Sequence, residues 1–386
     1  MKFSILIPTR NRPDLLELAV ESVRLQEYPN WEVVVSDNAS DGDIQLRMKS
    51  FGDPRIRTRR NDEFVPVTKN WNAALELATG DYFIMLGDDD ALIPGSLGRL
   101  NRLLDAWGNP EAIYAQARQY AYPGVIPGNP EAFIQTGYNA FLAGAKESFL
   151  LKPSVALGMV RSAMEFRILY GFNMQHFVIG RGLVERLKPK GPFFQSPYPD
   201  YYAANAVLLE ARPLLASPDP VALIGISPKS FGFYYFNGRE DDGTAFLQNE
   251  VDPKIAKRLQ GEVIPGTNMN DSWLAAMETL ACNFPEIPNL HVRYHRYRRL
   301  QFNEILKRSG RKGFAEIFRH VRGWEVAFYA SLAVAFGATR MLPAGMRASA
   351  LEKLIHSMFS PAPHFDPGKT SVPYRNILEA ARAAAY

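Results

Sequence analysis

The chain has 386 residues, of which 47% are hydrophobic and 22% are charged, a composition typical of a folded globular protein and not of a disordered one. Its net charge of +4 is too small to indicate a nucleic-acid-binding protein, and its one cysteine, Cys282, excludes an internal disulfide and a multi-cysteine zinc site. The N-terminal segment has the wrong length and order of apolar and basic residues for a secretory signal, so we expect a cytoplasmic protein.

Strands and helices alternate along the first third of the chain. The pattern of apolar residues predicts strands at 3–8, 31–37, 55–60, 81–86 and 112–117, with one helix after the first strand and another at 67–78. Such alternation predicts an α/β fold with a mostly parallel sheet flanked by helices, which binds its ligands beyond the carboxyl ends of the strands.

Three consecutive aspartates, Asp88, Asp89 and Asp90, directly follow the apolar strand "DYFIML"; we call them the aspartate triplet. Adjacent carboxylates at the end of a buried strand repel one another and lose solvation unless a cation shares the site. Carboxylate oxygens suit Mg²⁺ or Mn²⁺, so the triplet predicts a site for one of these ions. The competing interpretation is a solvated acidic turn before the helix near Pro94.

No glycine-rich phosphate loop accompanies these carboxylates. The turn after the first strand reads "PTRNRPD", with neither a G-x-G-x-x-G pattern nor a Walker lysine. A nucleotide bound here must therefore be held by carboxylates, a metal ion and side-chain donors.

Two stretches together, "SILIPTRNRPDLLELAVESVRLQEYPNWEVVVSDNASDGD" and "NWNAALELATGDYFIMLGDDDAL", resemble the donor half of the inverting family 2 glycosyltransferases, which have the GT-A fold. The resemblance implies a GT-A domain with a C-terminal helical extension. It also implies a metal-dependent transfer of a sugar from a nucleotide-diphosphate sugar, with UDP-sugars favoured, to a hydroxyl of a glycan or lipid-linked acceptor. Polysaccharide biosynthesis is the expected setting.

The resemblance also implies roles for particular residues. Contacts to the nucleotide-sugar fall on Pro8, Thr9, Arg10, Asp37, Asn72, Asp88 and Asp90. The family's D-x-D-D motif aligns with residues 87–90, so Gly87 replaces its first aspartate and Asp89 remains as the metal ligand. Trp71 stands where the family often has an arginine, and whether Lys69 takes over that role stays open. Taken alone, Asp37 could equally close a turn and Arg10 could be a surface charge.

The Pro- and Gly-rich stretch "YPGVIPGNP" indicates a boundary after the donor half. We assign residues 1–116 to the donor half, residues 117–245 to the acceptor half of the same domain, and residues 246–386 to a C-terminal helical region. Within the acceptor half, we expect a helix at 177–187 and another that follows a strand or loop within 191–211.

Asp200 falls where the second of these helices should begin. An acidic residue there interacts favourably with the helix dipole, and the resemblance implies instead that Asp200 is the general base. His176 and Arg239 are candidate contacts to the acceptor or the diphosphate. A structural hydrogen-bonding histidine and a solvated loop arginine are the alternatives.

The C-terminal region is basic. Residues 291–322 contain ten Lys and Arg against two Glu, and the apolar stretch "WEVAFYASLAVAFGA" follows directly. Bases followed by an apolar helix favour attachment of 291–340 to the anionic inner face of a membrane. A solvated helix packed on the catalytic domain is the alternative, and we expect no nucleic-acid partner.

Two other functional classes remain open at this point. A sugar nucleotidyltransferase has a similar α/β architecture and metal use, although it ordinarily opens with a G-x-G-T-R signature that "PTRNRP" lacks. The other is a non-catalytic nucleotide-sugar-binding or scaffold protein that retains the fold.

Overall fold

The computed structural model describes residues 1–136, 139–240, 242–243, 250–309, 313–327 and 369–384. Within these residues, strands β1 to β11 form one sheet: Phe3–Thr9, Trp31–Asp37, Ile56–Arg60, Tyr82–Met85, Ala91–Leu92, Ala112–Ala121, Ala132–Gln135, Phe149–Leu150, Phe177–Gly180, Leu214–Ile226 and Lys369–Val372. Helices α1 to α13 are Pro13–Arg24, Ile44–Lys49, Val67–Leu77, Ser96–Ala106, Pro153–Met164, Arg181–Leu187, Pro199–Glu210, Phe231–Phe236, Pro253–Leu259, Asn268–Asn283, Tyr294–Ser309, Gly313–His320 and Ile377–Ala383.

The N-terminal half of the sheet is parallel, in the order β4–β1–β2–β3. Every residue of β2 is buried, as expected for a strand covered by helices on both faces. The register places Thr9 beside Asp37 at the carboxyl ends of β1 and β2. This half confirms the predicted fold class.

The rest of the sheet is mixed. Strand β9 lies antiparallel between β4 and β6, and β10 runs parallel to β6. The prediction of a helix at 177–187 is wrong for its first four residues, because Phe177–Gly180 forms β9 and only Arg181–Leu187 is helical. All four residues of β9 are buried between two strands, so the backbone pairing there outweighs the local helical pattern.

The described C-terminal residues lie in two places. Helices α9 to α12 form the helical region that we expected, and Arg298 is held there by Glu325 in an ion pair whose two side chains are each 2% exposed. Residues 369–384, which the sequence places in the same region, instead add β11 to the sheet edge beside β7 and bring α13 against α1. Residues 310–312 and 328–340 of the predicted membrane-facing stretch 291–340 lie outside the described residues. None of the described helices is long and apolar enough to cross a membrane.

Candidate functional site

A cavity of about 230 Å³ opens at the carboxyl ends of β1 and β4; we call it the first cavity. It brings together Pro8, Thr9 and Arg10 from the turn after β1, the aspartate triplet after β4, and Asp200 from the first turn of α7. These residues are up to 192 positions apart in the chain (200 minus 8), so the fold and not the local sequence assembles them.

The Asp88 carboxylate is paired with two side chains of the segment that ends β1 and leads into α1. Its Oδ2 accepts a hydrogen bond from Thr9 Oγ1 at 2.7 Å, and its Oδ1 accepts one from Arg12 Nη1 at 2.9 Å. Arg12 is buried, and its Nη2 also donates to the carbonyl of Lys229. Arg12 therefore joins the turn after β1, the aspartate triplet and the loop after β10.

Asp90 is surrounded by protein donors. Its Oδ2 accepts from the amide of Gly87 and from Gln175 Nε2, both at 2.6 Å, and its Oδ1 accepts from the amide of Gly225 at 2.8 Å. Burial and the neighbouring Asp89 carboxylate nevertheless raise the pKa of Asp90 to about 7. A Cβ atom at position 87 would lie only 2.7 Å from Asp90 Oδ2, so in this structure the position has room for glycine and not for the aspartate of the family motif.

Among the described residues, Asp89 accepts hydrogen bonds from fewer other residues than Asp88, which accepts two, or Asp90, which accepts three. Among the described residues, Ser227 Oγ is its one side-chain donor, at 2.8 Å. Burial raises the pKa of Asp89, and Arg12 opposes this effect. The Asp89 carboxylate is therefore the one best placed to gain from a cation.

The donor set fits a divalent ion that is shared with a ligand and does not fit a closed protein cage. The described residues contain no group of three or more His, Cys, Asp or Glu side chains arranged to hold a metal ion. Asp88 is ion-paired and Asp90 already accepts three hydrogen bonds, so Asp89 is the carboxylate of the triplet that could best serve as a metal ligand. Mg²⁺ is commonly bound by only one or two protein carboxylates together with substrate phosphates and water, so this arrangement suffices.

Asp200 lines the same cavity from the first turn of α7. It follows Pro199, the first residue of α7, and no side chain among the described residues donates a hydrogen bond to it. Burial raises its pKa to about 7, although the backbone amides of Asp200 and Tyr201 partly offset this effect. A carboxylate with this pKa is suited to accept a proton near neutral pH.

Arg10 shapes the part of the cavity beside the loop after β2. Its Nη1 donates to the carbonyls of Asn38 and Ala39, and its guanidinium lies 4.0 Å from the centre of the Phe64 ring. Arg10, Asn38 and Phe64 all line the cavity. The arginine thus holds the loop after β2 against the turn after β1.

Asp37 and Asn72 do not line the first cavity. Asp37 is fully buried, where its carboxylate accepts from the amide of Ser40 at 3.0 Å and from Arg60 Nη1 at 2.9 Å. Asn72 instead exchanges two hydrogen bonds with the backbone of Phe194. In this structure both side chains support the loops that surround the cavity.

His176 and Arg239 also lie outside the first cavity. His176 is fully buried, its Nδ1 hydrogen-bonds to the carbonyl of Ala115, and burial lowers its pKa to about 4. Arg239 is more than half exposed and pairs with Asp242 at 2.8 Å. These contacts match the structural alternatives that the sequence analysis left open.

Trp71 and Lys69 differ in position. Trp71 lines the cavity, with its ring edge-on to Phe194 at 5.2 Å between ring centres. Lys69 is exposed and pairs with Glu250. The position at which the family often has an arginine thus presents an aromatic ring to the cavity.

The sequence analysis missed three residues whose side chains donate hydrogen bonds to the aspartate triplet, namely Arg12, Gln175 and Ser227. Arg12 alone had a local signal, because it stands in the quoted turn "PTRNRP". The other two reach the triplet from segments more than 80 residues away in the chain, as the separations of 85 and 138 positions show.

Comparison with known proteins identifies the family of this domain. Residues 4–162 match the family described as Glycosyl transferase family 2. The GalNAc(5)-diNAcBac-PP-undecaprenol beta-1,3-glucosyltransferase of Campylobacter jejuni is 34% identical over 102 residues, which are 26% of this chain and 33% of that protein. The abequosyltransferase RfbV of Salmonella typhimurium is 39% identical over 112 residues, which are 28% of this chain and 33% of that protein.

The chain therefore spans about a third of the length of these two relatives. Among solved structures, S. aureus TarS 1–349 in complex with UDP-GlcNAc aligns with 86% of this chain and 92% of its own, at 13% identity and a TM-score of 0.49. On the family match, the chain carries over residues 4–162 a domain of glycosyl transferase family 2, which confirms the resemblance that its motifs show.

Proposed function

We propose that the protein is a metal-dependent inverting glycosyltransferase. It transfers a sugar from a nucleotide-diphosphate sugar, with UDP-sugars favoured, to a hydroxyl of a glycan or lipid-linked acceptor in polysaccharide biosynthesis. The observation that carries the proposal is that Asp200, at the start of α7, and the aspartate triplet, after β4, line one cavity. The Campylobacter jejuni relative, a GalNAc(5)-diNAcBac-PP-undecaprenol beta-1,3-glucosyltransferase, supports the choice of acceptor.

The donor binds at the carboxyl ends of β1 and β4. Pro8, Thr9 and Arg10 line the nucleotide side. Asp37 contributes to nucleotide binding either by contacting the nucleotide directly or by holding the loop after β2 in place. Asp88 and Asp90 contact the ribose or the sugar, and Asn72 supports the opposite wall. Asp89 holds Mg²⁺ or Mn²⁺, which when bound stabilises the negative charge that develops on the departing diphosphate. Arg12 adds a fixed positive charge beside the triplet.

Asp200 serves as the general base. The acceptor hydroxyl attacks the anomeric carbon while the bond from that carbon to the diphosphate oxygen breaks, and Asp200 takes the hydroxyl proton. Direct displacement of this kind inverts the anomeric configuration and needs the base on the face opposite the leaving group. The raised pKa of about 7 keeps Asp200 basic enough for this step at neutral pH.

The experiment that tests the proposal combines binding with turnover. The melting temperature of the protein is measured with UDP, GDP, dTDP and CDP, each with and without Mn²⁺, because a ligand of the folded state raises it. UDP-sugars are then supplied with a panel of glycoside acceptors, and the product is examined by NMR.

The outcomes separate the three functional classes. The proposal expects metal-dependent binding of a nucleotide and a product of inverted configuration. Binding without turnover would favour a scaffold protein, and release of pyrophosphate from a nucleoside triphosphate and a sugar phosphate would favour a nucleotidyltransferase.

A further inference from the structure

A second cavity of about 400 Å³ adjoins the first. The two share Trp71, Asp200, Gly225 and Phe231 as walls, so Asp200 stands at their junction. The volume of the second cavity lies in the range of small-molecule sites, roughly 300–1,000 Å³. The aspartate triplet lines the first cavity and not the second, so a group bound in the second cavity would lie beside Asp200 in a space that the triplet does not line.

Aromatic rings that hold one another in place form the walls of the second cavity. Tyr198 stacks on Tyr201 with their ring centres 5.0 Å apart, and Phe231 meets Tyr198 edge-on at 5.0 Å. Phe172 meets Tyr201 edge-on at 5.1 Å. Such pairs restrict each other's rotation, so the cavity presents preformed apolar faces.

Gln119 supplies a polar side chain that forms no hydrogen bond with any described residue. It lies on β6, is 8% exposed and lines the second cavity but not the first. No described residue hydrogen-bonds to its side chain, although a buried amide ordinarily finds a partner. Its donors and acceptor are thus available to a bound hydroxyl group.

The charge of the second cavity differs from that of the first. Among the described residues that line it, Asp200 is the only one with a formal charge, whereas Arg10, Arg12 and the aspartate triplet line the first. An anionic group in the second cavity would lie near the Asp200 carboxylate with no lysine or arginine of the described lining to offset it. Such an arrangement costs both repulsion and desolvation.

We propose that the second cavity binds an uncharged pyranose, the sugar of the acceptor that provides the attacking hydroxyl; this inference rests on the proposed glycosyl transfer. The apolar C–H face of the ring packs on Trp71 and its aromatic neighbours, and a ring hydroxyl bonds to Gln119. Sugars that carry a carboxylate or a phosphate are excluded. Specificity of this kind comes from leaving the wrong ligand's charge unpaired.

The test uses small probes and saturation-transfer NMR in the presence of UDP and Mn²⁺. The neutral probes are the methyl glycosides of glucose, galactose and N-acetylglucosamine, and the charged probe is methyl glucuronide. We expect at least one neutral probe to bind about tenfold or more tightly than the glucuronide. Equal or tighter binding of the glucuronide, or no binding of any neutral probe, would overturn the inference.

Variants locate the bound probe. Gln119→Leu and Trp71→Ala should each weaken the neutral probe by about fivefold or more, while Gln119→Leu leaves the affinity for UDP within about twofold of the parent. Gln260→Leu, an exposed position outside both cavities, is the matched control. Unchanged probe affinity in both test variants would contradict the assignment of the cavity.

The same experiment separates this inference from the proposed function. Only the inference fails if the parent protein binds UDP with Mn²⁺ and transfers sugar, while the variants bind the neutral probe as tightly as the parent does and the glucuronide binds as tightly as the neutral probes. If the parent protein binds no nucleotide at all, the proposed function itself fails.

Discussion

Arg12 Nη1 lies 2.9 Å from Asp88 Oδ1, and the two side chains are only 10% and 5% exposed. This ion pair ties the turn after β1 to the aspartate triplet at the wall of the first cavity. Both the stability of the site and its charge therefore depend on Arg12.

Replacing Arg12 by alanine should destabilise the protein by about 3–5 kcal/mol, because it leaves the Asp88 carboxylate buried without its cation. Urea denaturation measures the loss. Arg24→Ala is the control, since Arg24 pairs with Glu21 at the surface and such pairs contribute roughly 0–1 kcal/mol. If the two variants lose the same free energy, the Arg12 pair does not stabilise the site.

Asp89→Asn keeps the side-chain volume and removes the charge that would bind a metal ion. We expect UDP binding to lose its dependence on Mn²⁺ and turnover to disappear. Calorimetric titration of UDP with and without Mn²⁺ tests this, with Asp105→Asn on the exposed face of α4 as the control. Binding of UDP that still strengthens with Mn²⁺ in the Asp89 variant would refute the metal assignment.

Asp37 can act on the nucleotide directly or through the loop after β2. If it contacts the base or ribose, Asp37→Asn should weaken UDP binding by about 1–3 kcal/mol through a lost charge-assisted hydrogen bond. Arg60→Ala, which removes the partner of Asp37 at 2.9 Å, should then cost less affinity. Equal losses in the two variants would mean that Asp37 acts only by holding the loop.

The basic segment within 291–340 should bind anionic membranes through its exposed residues. Arg298 cannot take part, because it is buried against Glu325, but Arg293 is exposed and Arg299 is partly exposed. Arg293→Glu together with Arg299→Glu should reduce sedimentation with vesicles of anionic phospholipid, and added salt should do the same to the parent protein.

The control for this prediction reverses two exposed bases elsewhere, with Lys49→Glu and Arg102→Glu. If the parent protein does not sediment with anionic vesicles at low salt, the segment is simply a solvated face of packed helices. Binding of single-stranded RNA under the same conditions would instead revive the nucleic-acid alternative.

The sequence predicts the first third of the fold well because local pattern and tertiary position agree there. Strand β2 begins and ends at the predicted residues, and α3 ends one residue earlier than predicted. The pattern fails where pairing between distant segments decides the structure. Strand β11 forms from "KTSV", which has no strand pattern of its own, by pairing with β7.

The same distinction holds for the site. The sequence points to the aspartate triplet and Asp200 because strand ends and helix starts have local signals. It gives no indication that Gln175 and Ser227 donate to the triplet, since both contacts depend on how remote segments pack. The sequence also cannot predict that Asp37 does not line the cavity, because this depends on the direction in which its buried side chain points.

The pH dependence of turnover should report Asp200. Only its deprotonated form accepts a proton, so kcat/KM should rise with pH around the raised pKa of about 7, and Asp200→Asn should abolish that rise. Because the folded-state pKa lies above the unfolded one, the parent protein loses the stability linked to this group as pH rises through that value. Asp200→Asn should therefore be at least as stable as the parent above it.

The most direct test of the account is to measure turnover and UDP affinity together in Asp200→Asn, with the best neutral glycoside as acceptor. If Asp200 is the base, kcat falls by about 10²–10⁴-fold while the dissociation constant of UDP with Mn²⁺ stays within about twofold of the parent value. Turnover near the parental rate, or a loss of UDP binding together with activity, would contradict the account and reduce Asp200 to a residue that begins a helix or shapes the donor pocket.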